Sequence, residues 1–227
     1  MVLSRDKLKE IFKKKIVIWG CGKSGHEFYQ KHKDQIDIWG MTANLSISKI
    51  KEFTPASLHP LCHDEIDFKN SLVVICSSAY GAGISAQLSE EGLQLHINYI
   101  FDDEFDALFH YAFYNTKLIV GIGWCDIKFL CSALQSVSAF SSCYSVIGIN
   151  EVNASPYDER FDASVYNMCV DLVSTADFLL CSELLTGSRL SFYNDIFKLK
   201  NETCEIVNIS FPEYFFGYWP QFLNSVC

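Results

Sequence analysis

The 227-residue sequence predicts an α/β protein of two units, each a parallel sheet flanked by helices. Three observations carry this. Short apolar runs of strand length alternate with helix-length segments along the chain, the pattern of parallel strands joined by helical crossovers. Two of those runs, ending near Gly20 and Gly123, pass through a glycine-bearing turn into an amphipathic segment. Apolar residues make up 49% of the chain, enough to bury substantial cores.

The elements follow in order. Leu3, Leu8, Ile11 and Phe12 share one face of a short basic helix, a face suited to docking on the protein or to a membrane surface. Strands are expected at IVIW (16–19), IDIWGM (36–41) and LVVICSS (72–78), with helices after Ser24 and from about Tyr80 to Glu91. Residues 51–70, with Pro55 and Pro60, form a connecting segment. INYIF (97–101) can close this first sheet, and the acidic, aromatic stretch DDEFDALFHYAFYNT leads to a second beginning. There KLIVGIGWCDIKFLCSAL (117–134) repeats the opening plan of lysine, apolar strand, glycine turn and helix. Further strands are expected at 144–149, 177–182 and 205–210, with helices near Ala163–Ser174 and Arg189–Leu199. The units are therefore 1–115 and 116–227. A single sheet running through both is the alternative.

Composition narrows the function. The chain holds 18 Lys and Arg against 27 Asp and Glu, and acids outnumber bases in both halves. Phosphate neutralisation needs clustered positive charge, and beyond Lys13 to Lys15 none occurs, which argues against nucleic acid as a partner. Ten irregularly spaced cysteines, several within strand-like runs (Cys76, Cys181), read as small buried hydrophobes in a reducing compartment, hence the cytoplasm. No C-x-x-C pair occurs, so no structural metal site is expected. Neither a signal peptide nor an integral membrane span is legible.

The opening motif is KKIVIWGCGKSGHEF, whose glycines are spaced G-x-G-x-x-G between a strand and a helix. In a dinucleotide-binding turn Gly20 permits the sharp bend, Gly22 the close approach of backbone to a pyrophosphate, and Gly25 the packing of helix on strand. Helix N–H groups and the positive end of the dipole then face the phosphates. An acid at the end of the second strand normally binds the ribose. Here that position falls on Thr42 or Asn44, and an amide is a weaker partner than a carboxylate. A purely structural turn is the competing reading.

With IDIWGMTAN and LVVICSSAYGAGISAQLSEEG after it, this motif resembles the small Rossmann-like module found in front of enzymes of bacterial surface-polysaccharide assembly. The resemblance covers about 14–105. It implies a nucleotide-type site lined by Gly20, Gly22, Lys23 and Ser24, with Ser77 and Ser78 facing them across the sheet.

In the second motif, GIGWCDIKFL, Cys125 sits between strand and helix at the carboxyl edge of a parallel sheet, where ligands usually bind. A thiolate there gains from the helix N-terminus and can act as a nucleophile, or the thiol can simply be buried. This half resembles the WcbI family of polysaccharide-biosynthesis proteins, regarded as acetyltransferases that bind coenzyme A. Gly123-Trp124-Cys125-Asp126 occupies the place of that family's glycine-Asn-Cys-Gln turn, and ADFLLCSELL and EIVNISFPEYFFGYWPQF are similar to its later strands. The resemblance covers about 117–222, and the chain stops where further helices are expected, so a truncated domain is one reading.

All six histidines lie at or before residue 110, so a cysteine–histidine pair within residues 116–227 is impossible, and a base for Cys125 is expected from the first half, from residues beyond 227, or from a carboxylate such as Asp126 or Glu183. Asp126 can also serve simply as a helix cap. Arg189, after TGS at a helix start, is a candidate for the phosphates of coenzyme A, or a solvated surface arginine. The aromatic-rich SFPEYFFGYWPQF belongs to a core, a sugar platform centred on Trp219, or a subunit contact.

These readings lead to acyl transfer from acetyl-coenzyme A to a sugar in capsule or lipopolysaccharide synthesis, with Cys125, Glu183 and Asp126 in the site. The alternative is a non-catalytic module that holds a nucleotide or nucleotide-sugar at Gly20–Gly25 for a partner polysaccharide enzyme or as a homo-oligomer. An NAD(P)-dependent oxidoreductase or epimerase fits least, for want of the ribose acid and of a Tyr-x-x-x-Lys pair.

Overall fold

The computed structural model describes residues 2–77, 79–123, 125–182 and 188–209, without the side chains of residues 125, 126, 128, 129, 139, 182, 188 and 189. The described residues form two all-parallel sheets flanked by helices, two Rossmann-like units in place of the one continuous sheet that the sequence left open. One compact unit is Asp6–Asp106. The other runs from Ala107 onwards and includes the first five residues. The division falls within a single helix, and the expected join at 115–116 follows the end of that helix.

In the first unit, α1 (Arg5–Phe12) precedes β1 (Lys15–Trp19), and Leu8, Ile11 and Phe12 on one face of α1 are buried. The other elements are α2 (Lys23–His32), β2 (Ile38–Thr42), α3 (Ile47–Phe53), β3 (His59–Pro60), β4 (Ser71–Ile75), α4 (Gly81–Glu90), β5 (Tyr99–Phe101) and α5 (Asp102–Phe113). The strand order is β3-β2-β1-β4-β5. Ile16, Val17, Ile18 and Trp19 of β1 lie fully inside because parallel strands are covered on both faces. Phe105 of α5 meets Phe12 and Phe28 edge to face, with ring centroids 5.1 and 5.0 Å apart, tying α1, α2 and α5 together. The segment 51–70, expected to be a plain connection, holds the end of α3 and the two-residue edge strand β3. Pro60 fits such an edge, where one missing N–H matters little.

At the start of α5, Glu104 accepts the Phe101 N–H at 3.0 Å, and its other oxygen lies 2.9 Å from His96 Nε2. Both side chains are buried, and the contact gives each a polar partner there.

The second unit contains β6 (Lys117–Gly123), α6 (Cys125–Ser136), α7 (Ser138–Ser141), β7 (Tyr144–Asn150), α8 (Glu151–Ala154), α9 (Ala163–Val173), β8 (Phe178–Ser182), α10 (Ser188–Phe197) and β9 (Glu205–Ile209). Its strand order is β7-β6-β8-β9. Ile127, Leu130, Cys131 and Leu134 of α6 pack on Ile119, Val146 and Leu180 of the sheet. Asp162 caps α9 by accepting the N–H groups of Ser164 (2.9 Å) and Val165 (3.4 Å). Ahead of α1 the Leu3 N–H donates to Thr175 Oγ1 at 2.8 Å, and at the start of α1 the Arg5 guanidinium donates to the carbonyls of Tyr111 and Thr116.

Candidate functional site

In open α/β sheets the strand order reverses at one point, and the crevice beyond the carboxyl ends of the strands there is where ligands bind. In the first unit that point lies between β1 and β4. The turn after β1 is held on both sides: Gly20 N–H donates to Thr42 O and Cys76 N–H to Trp19 O, each at 2.9 Å.

The three glycines of this turn are not equivalent. Gly20 has φ +144°, and a Cβ there would stand 2.4 Å from the Cys76 carbonyl oxygen. A Cβ on Gly25 would fall 1.8 Å from the Gly20 carbonyl oxygen. The fold itself therefore requires both. At Gly22, φ is −87° and a Cβ would meet nothing within 4 Å. Nothing internal to the protein demands a glycine there.

Gly22 is the N-cap of α2, and no side chain caps the first N–H groups of that helix. Above it opens a cavity of about 1160 Å³. Its lining includes Gly20, Gly22, Lys23, Ser24, Asn44 and Ser77, so the structure brings most of the expected ligand-binding residues together. Gly25 lies buried beneath the turn, and Ser78 lies outside the described residues. Of the two positions considered for a ribose contact, Thr42 is buried and donates to Leu61 O at 2.9 Å, whereas Asn44 lines the cavity and donates to Gln87 Oε1 at 3.3 Å. Ser77 Oγ accepts the Tyr80 N–H at 3.2 Å and so shapes the loop after β4. Lys23 Nζ stands 3.7 Å from Glu27 Oε1, with both side chains well exposed, so the ammonium stays available to a ligand.

Sequence reasoning missed three cavity residues of consequence. His26 lies one turn after Lys23 on α2, and the exposed Phe53 and Tyr80 come from the segments after β2 and β4, the strands on either side of β1. The spacing of Lys23 and His26 was a usable signal. The two aromatics gave none, because their place depends on how the loops after β2 and β4 fold back. Trp19 also lines the cavity, and its buried Nε1–H has no acceptor among the described residues. Burial favours the neutral thiol at both cysteines here: it pushes Cys21 up to about 11 and raises Cys76 further, ahead of the charge of Asp102.

In the second unit the order reverses between β6 and β8. Cys125 is the first residue of α6, directly beyond β6, and Asp126 follows it in the same turn. Glu183, Trp124 and the aromatic segment with Trp219 lie outside the described residues. Arg189 is the second residue of α10, and its side chain is not described. The glycines of this turn have internal reasons: a Cβ on Gly121 would be 2.5 Å from Cys131 Sγ, and one on Gly123 2.3 Å from Ile127 Cγ1.

A carboxylate that the sequence reading did not name stands at this edge. Glu151 follows Asn150, the register partner of Gly123, and is buried with Oε2 2.5 Å from the Tyr193 hydroxyl. Tyr193 Oη also lies 2.9 Å from Ile122 O. Cys131, Cys169 and Cys181 are held as thiols by burial, with the values of Cys131 and Cys181 pushed up to about 12. His110 belongs to the second unit, but it precedes the amino end of β6. Cys125 lies beyond the carboxyl end, about 23 Å further along a seven-residue strand.

Among the described residues no three His, Cys, Asp or Glu side chains gather to hold a metal, and no helix is long and apolar enough to cross a membrane. In comparisons with protein-family models, curated proteins and solved structures, nothing matches the chain.

Proposed function

We propose that the first unit binds a nucleotide or nucleotide-sugar in the cavity at its glycine turn. Gly22 carries this reading. Two glycines of the motif answer to the fold, whereas the third leaves open room beside uncapped helix N–H groups, where a pyrophosphate needs close approach to backbone. Thermal unfolding with nucleotides and nucleotide-sugars tests it. A ligand at about 100 times its Kd stabilises the native state by roughly 2.7 kcal/mol. Gly22→Val should keep the unliganded Tm within a few degrees and abolish the ligand shift. An undiminished shift would move the ligand away from the turn.

A second reading, favoured by the place of Cys125 at the strand-order reversal, is acyl transfer from acetyl-coenzyme A to a sugar in bacterial capsule or lipopolysaccharide synthesis. It rests on the resemblance to the WcbI family. In it Cys125 is the nucleophile, Glu183 or Asp126 the carboxylate partner and Arg189 a phosphate contact. Cys125→Ala should abolish transfer with the fold intact, and unchanged turnover would remove Cys125 from the mechanism. Both readings suit a reducing cytoplasm, as do the eight cysteines whose side chains are described, all free.

A further inference from the structure

The cavity extends to both sides of the glycine turn. On the β2 side it is lined by Leu45 and by Phe53 of α3, and on the β4 side by Tyr80. All three are among the most exposed large apolar side chains described, at 46%, 47% and 75%. Single exposed hydrophobics need no explanation, but these line one cavity from the segments after β2 and β4. Between them, Lys23 and His26 share a face of α2 and both line the cavity. The described lining contains no Asp or Glu. The volume also exceeds the roughly 300–1,000 Å³ usual for a drug-sized ligand.

A lysine ammonium and an imidazole beside a helix N-terminus, with apolar side chains from the segments after β2 and β4, match an anion carrying two ring-bearing arms. We infer that the ligand is a diphosphate diester: a nucleoside diphosphate esterified to a second ring-bearing group, with the diphosphate at Gly22–Ser24 and one arm against the apolar side chains of each segment. A nucleoside monophosphate would engage only one segment. This inference rests on the nucleotide reading and narrows it.

Calorimetric titration of the full chain with AMP, NAD, UMP and UDP-glucose tests it. In at least one nucleoside series the diester should bind tenfold or more tightly than the monophosphate. Stacking on an aromatic face is sequence-tolerant and substantial, so Phe53→Ala and Tyr80→Ala should each weaken the diester about tenfold. Only one of them should weaken the monophosphate. Both side chains are exposed, and an unchanged unliganded Tm verifies that the variants fold. Equal affinity for diester and monophosphate, or a diester indifferent to either substitution, would overturn the inference while leaving the nucleotide reading in place. If none of the four probes binds, or if binding survives Gly22→Val, the nucleotide reading falls and this inference with it.

Discussion

Gly20 and Gly22 are two residues apart, and a sequence gives them equal standing. Their surroundings do not. Gly20→Ala adds a positive-φ strain to a clash with backbone and should destabilise by roughly 2–4 kcal/mol. Gly22→Ala, in ordinary backbone and open space, should cost less than about 1 kcal/mol. Urea denaturation of the pair measures the contrast, and equal losses would make Gly22 structural. Asp102 gives a second prediction at this scale. Burial, then the neighbouring Asp103, raises its carboxyl to about 6. The folded value exceeds the ordinary one near 3.8, so folding favours the protonated acid, and stability falls as pH rises from about 4 to 6. Asp102→Asn should therefore be more stable than wild type at pH 8, by about 1 kcal/mol after discounting for partial exposure, and equal to it near pH 3.5. Thermal melts at the two values check this. Asp106 has the opposite sign: burial pushes it up, but hydrogen bonds from His32 and Lys31 overcome that and hold it low, so its contribution is lost only in acid.

Among the elements, those with strong periodicity and clear ends were legible. The β1, β4, β6, β8 and β9 runs and the helices after both glycine turns lie where apolar pattern and turn chemistry place them. The segment between β2 and β4 was not legible. A two-residue strand has no period, and β3 exists only because the chain passes beside β2, with His59 opposite Gly40 and Pro60 opposite Met41. Asp162 was not read from the sequence as a cap, although its two N–H contacts make it one. Asp162→Ala should cost about 1 kcal/mol by chemical denaturation, and a neutral result would mean that α9 is held by its packed face alone. The pair of His96 and Glu104 was invisible for another reason: eight residues separate them, and His96 sits in left-handed backbone at φ +60°, which no local pattern announces. Glu104→Ala should cost about 2–3 kcal/mol in the same assay, because it removes both the acceptor of the Phe101 N–H and the carboxylate beside the buried His96 Nε2.

In the whole molecule, two compact units each bring a strand-order reversal and a turn-to-helix step to a carboxyl sheet edge. Differential scanning calorimetry should show a nucleotide-type ligand raising the transition of the Asp6–Asp106 unit and leaving that of the other unlinked. A uniform shift would mean that the two unfold as one cooperative body. The sequence by itself determined the fold class, the two beginnings and the glycine turn, because hydrophobic period and turn chemistry are local and survive in one dimension. It also determined which chemistry the second half lacks, since residues 116–227 hold no histidine. The tertiary structure decided which glycine has no internal reason, that Asn44 and not Thr42 faces the cavity, and that Phe53 and Tyr80 line it from the segments after β2 and β4. It also placed Glu151 and Tyr193 together across 42 residues. These depend on the direction in which a parallel sheet sends each strand end and on which atoms fill the space beside it, and neither quantity exists until the strands have paired.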